Sequence, residues 1–211
     1  MARTGYWNHN VHYQPVILGA VPPGCAQALD VGCGDGLLAC LLAERCRDVT
    51  GIDRDERMIT LARARAQEQR QEHGQEPEPA LGHLTFVAAD FLAFPKADES
   101  YDFVCANTSL HHMDFAAALT AMVRLLRPGG RLAVIGLARN GSITDYLADA
   151  LGTPVNLFYK AIYREASSGA PVKDPDMTWS QVRATAARLL PGARYRRHLL
   201  WRYSLLWRKP A

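Results

Sequence analysis

The stretch LDVGCGDG at residues 29–36 constrains this chain more than any other. An apolar run, QALDVG (27–32), reads as a buried strand. Glycines 32, 34 and 36 follow, and LLACLLAERC (37–46) then repeats its leucines on one side of a helix. Glycine lets the backbone turn sharply and lets a ligand come close to it. A strand, a glycine turn and a helix form the repeating unit of open parallel sheets, which bind ligands at the carboxyl ends of their strands.

The rest of the chain continues that alternation. DVTGID (48–53), HLTFVAAD (83–90), YDFVCAN (101–107) and RLAVIGL (131–137) read as further strands. DERMITLARARAQEQRQEHG (55–74) and FAAALTAMVRLL (115–126) read as helices. The first is broken by Gly74, Pro77 and Pro79, and the second by Pro128, Gly129 and Gly130. Beyond residue 138 the pattern changes. Two helical stretches, 142–165 and 178–190, precede a tail (193–210) that reads as two strands turning near Trp201 and Arg202. The fold class is therefore α/β, with a mostly parallel sheet covered on both faces.

Composition narrows the function classes. At 211 residues, 48% of them hydrophobic, the chain suits one domain with a real core. A net charge of +3 is too small to argue for nucleic acid or a membrane surface. The five cysteines are odd in number and form no C-x-x-C pair, which suits a reducing compartment and argues against a zinc site. No run approaches the roughly 20 apolar residues of a membrane span, and the N-terminus has no signal-peptide core. The expectation is a cytoplasmic protein without a metal.

A nucleotide-like cofactor is expected at the glycine loop. A dinucleotide fingerprint is G-x-G-x-x-G, whereas this loop is G-x-G-x-G with Leu37 at the third glycine's place. Asp30 beside the loop would repel a pyrophosphate and attract a cation. Asp53 ends the second strand and can accept both hydroxyls of a ribose, in either kind of cofactor.

Taken together, these residues resemble the class I S-adenosylmethionine-dependent methyltransferases, of the methyltransferase type 11 kind. ALDVGCGDG looks like the family's first motif, GIDRD (51–55) its ribose motif, AADFLAFP (88–95) its adenine motif, YDFVCANTSLHHM (101–113) its fourth-strand motif, and LLRPGGRLAVIG (125–136) the run into strand five. The resemblance implies a Rossmann-like seven-stranded sheet of order 3-2-1-4-5-7-6 with strand 7 antiparallel, the tail supplying strands 6 and 7. It implies one domain over 1–211: an N-terminal lid (1–24), a cofactor core (25–137), a helical insert or lid (138–180), and a last helix with the closing hairpin (181–211). S-adenosyl-L-methionine is the implied cofactor. Its implied contacts are Asp30, Gly32, Cys33, Gly34, Gly36, Asp53, Arg54, Met58, Asp90, Phe91 and Asn107, with Asp102 supporting the first motif's backbone.

The sulfonium makes its methyl a strong electrophile, so positioning is the enzyme's main task. An oxygen or nitrogen acceptor also calls for a base, and His111 and His112 lie just past strand four. Either is a base, or a residue that caps or packs the following helix. WNHNVHY (7–13) reads in two ways as well: a lid with Tyr13 near the sulfonium and His9, Asn10 or His12 toward the acceptor, or a packing helix. Residues 138–180 are a lid over a small substrate or a plain helix pair. The arginines of the tail suit an edge strand better than RNA binding. The expected function is methyl transfer to an oxygen or nitrogen of a small molecule, by a monomer or homodimer. The alternatives are an RNA or protein methyltransferase, and a catalytically degenerate binding protein.

Overall fold

The computed structural model describes residues 8–73, 82–162 and 173–211. Trp7 of the N-terminal stretch, the break at Gly74, Pro77 and Pro79, and residues 163–165 of the expected long helix lie outside them.

The strands are β1 (Gln27–Val31), β2 (Asp48–Asp53), β3 (His83–Ala88), β4 (Tyr101–Asn107), β5 (Leu126–Gly136), β6 (Arg194–His198) and β7 (Arg202–Arg208). They form one sheet in the order β3-β2-β1-β4-β5-β7-β6. All neighbours from β3 to β5 are parallel, and β7 runs antiparallel to both β5 and β6. Side chains alternate between the faces, as a pleated strand requires. Ala28, Phe103, Cys105 and Ala133 join one core, and Leu29, Val104 and Val134 the other.

Helices cover both faces. α1 (His9–Leu18), α2 (Leu37–Leu42) and α3 (Glu56–His73) contribute to the first core, while α4 (Phe115–Leu125) and α6 (Trp179–Leu189) contribute to the second. α4 shows why such a segment is helical: Phe115, Ala118, Leu119, Met122 and Leu125 recur at the spacing of one helix face, and all are buried. The Asp114 carboxylate caps it by accepting from Ala117 N–H, and β5 begins directly after it at Leu126. The pairing of β4 with β5 jumps from Tyr101↔Leu126 to Phe103↔Arg131, so the Pro-Gly-Gly turn bulges out between two paired segments. This is why the strand starts five residues before the expected 131.

α5 (Ile143–Ile162) is amphipathic in an unusual sense. Its exposed side carries Ile143, Leu147, Leu151, Leu157, Phe158 and Ile162. Its inward side carries polar anchors: Asp145 and Asp149 both pair with Arg197 of β6, and Asn156 Oδ1 bonds the His9 ring at 2.8 Å. Gly152 lies against the hairpin turn, where a Cβ would stand 2.1 Å from the Leu199 carbonyl. Among the described residues, no helix is long and apolar enough to cross a membrane.

Candidate active site

A cavity of about 590 Å³ opens at the carboxyl ends of β1, β2 and β4, a volume within the roughly 300–1,000 Å³ of small-molecule sites. Its floor is the glycine loop. Gly32 and Cys33 donate their N–H groups to the Ile52 carbonyl at 2.8 and 3.0 Å, which ties the loop to β2. Gly32 has a φ of +70°, and a Cβ there would stand 2.2 Å from Ser109 Cβ, so no other residue fits. Gly34 donates to Asp53 Oδ2 at 3.0 Å, while Asp55 N–H donates to Oδ1. Each carboxylate oxygen keeps a further lone pair for a ligand. Asp102 supports the entry to β1, accepting from Ala26 and Gln27 N–H at 2.9 and 2.8 Å.

Asp30 is fully buried beside this loop. Its Oδ1 accepts from the Cys105 thiol, and its Oδ2 has no partner. Burial pushes its pKa up to about 7, against the thiol bond that lowers it. A buried carboxylate oxygen without a donor is what a cationic or hydrogen-bonding ligand would complete. Further round the wall stand Arg54, Met58, Asp90 and Phe91. Asp90 caps a short 3₁₀ turn by accepting from Leu92 N–H, and Phe91 and Met58 are buried apolar surfaces.

On the other side the wall comes from β4, α1 and β7. Asn107 closes β4 and donates from Nδ2 to the Asn10 carbonyl at 3.2 Å. Thr108 follows with a φ of +60°, a strained conformation for a β-branched residue, at the cavity's edge. The 3₁₀ turn Leu110–His112 then aligns the two histidine rings 4.2 Å apart. His111 Nδ1 is buried without a partner. Burial first, then the neighbouring His112, Arg202 and Lys173, drop its pKa to about 4. His112 is lowered as well, by burial and then by Arg54. Both rings are therefore neutral at pH 7.

The structure thus brings together Asp30, Gly32, Cys33, Gly34, Asp53, Arg54, Met58, Asp90, Phe91, Asn107, His111 and His112. Three expected residues stand elsewhere. Tyr13 points into the core, where its hydroxyl accepts from Leu200 N–H at 3.2 Å, and it does not line the cavity. Tyr13 and Ile17 are one helical turn apart and both buried in the first core, while the N-terminal end of the helix, with Asn8, His9, Asn10 and Val11, and Gln14 line the cavity. His12 leaves with Tyr13, its ring stacked edge-on against Tyr13 and Tyr159. Gly36 also stays off the wall. A Cβ there would meet Ala62 at 2.7 Å, so it is a packing glycine between α2 and α3. No residue of α5 lines the cavity, so the helix is no lid in this structure. Its acidic anchors hold it on the hairpin instead. Lys173 and Arg202 line the wall without having been expected there. Nothing in the sequence separates Arg202 from its neighbours, since the same strand also ends in Arg208. Among the described residues, no three His, Cys, Asp or Glu side chains cluster as a metal site would need.

Comparison with known proteins agrees with this geometry. Residues 29–134 match the model of the methyltransferase domain family. An uncharacterized methyltransferase of Mycobacterium tuberculosis is 34% identical over 212 residues, spanning 97% of this chain and 98% of that protein. The demethylmenaquinone methyltransferase of Roseiflexus castenholzii is 36% identical over 121 residues, 57% of this chain and 46% of that protein. Among solved structures, the N-methyltransferase NodS from Bradyrhizobium japonicum, in complex with S-adenosyl-L-homocysteine, superposes with a TM-score of 0.60 at 17% identity, covering 100% of this chain and 94% of that one. By its family match, its full-length relative and its strand order, the chain belongs to the class I S-adenosylmethionine-dependent methyltransferases.

Proposed function

We propose that the chain methylates an oxygen or nitrogen of a small organic molecule, with the cavity holding cofactor and acceptor side by side. The observation that carries this is His111, a neutral, half-buried imidazole whose buried Nδ1 has no partner, on the wall shared by the two halves of the cavity. Asp53 suits the ribose hydroxyls, and Asp90 with Phe91 and Met58 suits the adenine. The unpartnered oxygen of Asp30, with Asn107, suits the positive methionine end. The fit rests on that unpartnered carboxylate and on Gly34, where a Cβ would meet nothing within 4 Å and a ligand can reach the backbone.

When bound, S-adenosylmethionine supplies a methyl group on a positive sulfur. The protein's part is to align an acceptor atom with that methyl and to exclude water. His111 can then take the proton that becomes acidic as the acceptor loses electron density. Its low pKa keeps the ring unprotonated at neutral pH and makes it a weak base, which suits an acceptor whose proton becomes acidic during transfer. α1 contributes a packed wall through Asn10 and Gln14. The reading includes a cytoplasmic location, in keeping with five free thiols. It requires no nucleic acid: Arg197 is spent on Asp145 and Asp149, and Arg202 is buried in the cavity.

The test is transfer of labelled methyl from S-adenosylmethionine to fractionated metabolite extract, with tRNA and protein fractions in parallel. Label entering a small-molecule fraction is expected. Label confined to the tRNA or protein fraction would overturn the small-molecule reading, and no label anywhere would revive a binding-only protein.

A further inference from the structure

Among the described residues, the β7 side of the cavity holds a buried cation without an anion. Arg202 is only 9% exposed. One Nη donates to Asn10 Oδ1 at 2.9 Å and the other to the Trp201 carbonyl at 3.3 Å. Its Nε is buried and has no partner. Arg197, five residues earlier in the same hairpin, pairs with two carboxylates, whereas Arg202 pairs with none among the described residues. The ionisable groups around it add no negative charge. His111 is neutral, and burial holds the Tyr13 phenol protonated. Two neutral oxygens do not offset a buried guanidinium, and an uncompensated buried charge costs several kcal/mol. Among the described residues nothing offsets this charge, and an anionic ligand would.

A second hollow, of about 180 Å³, adjoins the first and shares His111, Met113 and Leu137 with it. Phe115, Met177 and Val182 give it a mainly apolar lining, which also includes Asp114, the cap of α4, and Asp176, the partner of Lys173. At the roughly 30 Å³ a liquid water occupies, it has space for about six waters or a small hydrocarbon group. His111 therefore stands between the cofactor half, the apolar hollow and the cation.

We infer that the methyl acceptor carries a carboxylate, which pairs with Arg202, and a small apolar body, which fills the adjoining hollow. This rests on the methyl-transfer reading above and narrows its substrate class. One charge is indicated rather than two: of the other cations on the wall, Lys173 is paired with Asp176 at 2.7 Å, and Arg54 is exposed next to Asp53 at the end of β2, in the cofactor half. The planar fork of arginine also suits a carboxylate's two oxygens. The cofactor's own carboxylate is the other source of this chemistry. Position favours the acceptor. β7 is three strands from β1 in the order β1-β4-β5-β7, about 14 Å at the usual strand spacing, so Arg202 lies far along the sheet from Asp30 and Asp53.

Calorimetry and thermal melting on the whole protein test this. The probes are S-adenosylhomocysteine, 5′-methylthioadenosine (which has no carboxylate), hexanoate and benzoate, and the matched amides hexanamide and benzamide. With S-adenosylhomocysteine saturating, the carboxylates should bind and raise Tm, and the amides should bind at least tenfold more weakly. Arg202→Gln should weaken the carboxylates at least tenfold and leave S-adenosylhomocysteine within twofold. Arg202→Lys keeps the charge and should keep part of the preference, which covers the case of a glutamine variant that does not fold. Equal binding of acids and amides, or binding of neither, would overturn the inference. So would an Arg202→Gln protein that loses S-adenosylhomocysteine tenfold but keeps methylthioadenosine, since the guanidinium would then serve the cofactor. Failure of the wild type to bind S-adenosylhomocysteine would instead remove the reading beneath it.

Discussion

The two halves of the cavity are built by different means. The β1–β2 half uses backbone and carboxylates close together in sequence: Asp30, the glycine loop and Asp53 lie within 24 residues, and the loop and Asp53 hold one another through hydrogen bonds. The β4–β7 half collects Asn10, His111, Lys173 and Arg202 from across the chain. A short loop fixes geometry that serves one invariant ligand. A wall of distant residues can change one member at a time, which suits the partner that differs among related enzymes. If this contrast is right, substitutions should separate cofactor binding from turnover according to the half they touch.

The largest effect should come from His111. Replacing it with alanine should cut turnover about 10²–10⁴-fold if it takes the acceptor's proton, while S-adenosylhomocysteine affinity stays unchanged in calorimetry. Wild-type turnover in both His111→Ala and His112→Ala would leave positioning alone as the mechanism. Because burial holds the His111 pKa near 4, no acid limb from this residue should appear above about pH 5.

Asp53→Ala should act the other way. It removes charge-assisted hydrogen bonds of about 1.5–3 kcal/mol each, so S-adenosylhomocysteine should bind at least tenfold more weakly. Acceptor selectivity measured at saturating cofactor should be kept. Unchanged affinity, or equally good NADH binding by the wild type, would break the assignment of this half.

Asp30 sharpens the same half through pH. Its pKa without ligand is raised to about 7, so below that pH the folded protein carries a proton that the unfolded chain has already lost. Its contribution to stability accordingly falls as pH rises from about 4 to 7. A cationic ligand favours the ionised form, so binding should release a proton below pH 7. Affinity should then fall by up to about tenfold per pH unit, and Asp30→Asn should flatten the profile. Calorimetry in buffers of differing ionisation heat counts the proton, and its absence would separate Asp30 from the cofactor.

The smallest effect tests a residue outside both halves. Tyr13→Phe removes the acceptor for Leu200 N–H and should cost about 0.5–1.5 kcal/mol in denaturant unfolding. Turnover should stay within twofold. A tenfold loss of turnover without a loss of stability would return Tyr13 to the site.

The same division explains what was legible in the sequence. β1, β4 and β5 were readable because a buried parallel strand is a nearly continuous apolar run, β2 and β3 because their apolar residues alternate, and Asp53 and Asp90 because they end strands or the loops after them. The residues of α1 were harder. WNHNVHY offers a polar ring or amide at nearly every position, and the Tyr13–Ile17 spacing that fixes which face is buried was the available clue. Gly36 shares its φ region with Gly32 and Gly34, and only α3, far along the chain, makes it a packing position. Arg202 is one of several arginines in the tail, and Lys173 stands alone between Val172 and Asp174. What singles out Arg202 is tertiary: a carboxylate pair that Arg197 has and it lacks.

The order of the strands has a consequence for how the molecule is assembled. β6 pairs only with β7, and β7 fills the place between β6 and β5. Until residues 202–208 emerge from the ribosome, β6 has no strand to join, and the backbone of Leu132 to Gly136 presents an open edge that other chains can extend. β1 to β5, with Asp30, Asp53 and the glycine loop, need no later strand to pair with one another. The half with the glycine loop can close on its ligand during synthesis, whereas Arg202 arrives with the last strand. A chain cut short before that strand would keep Asp30, Asp53 and the glycine loop, lack Arg202, and expose a sheet edge prone to aggregation.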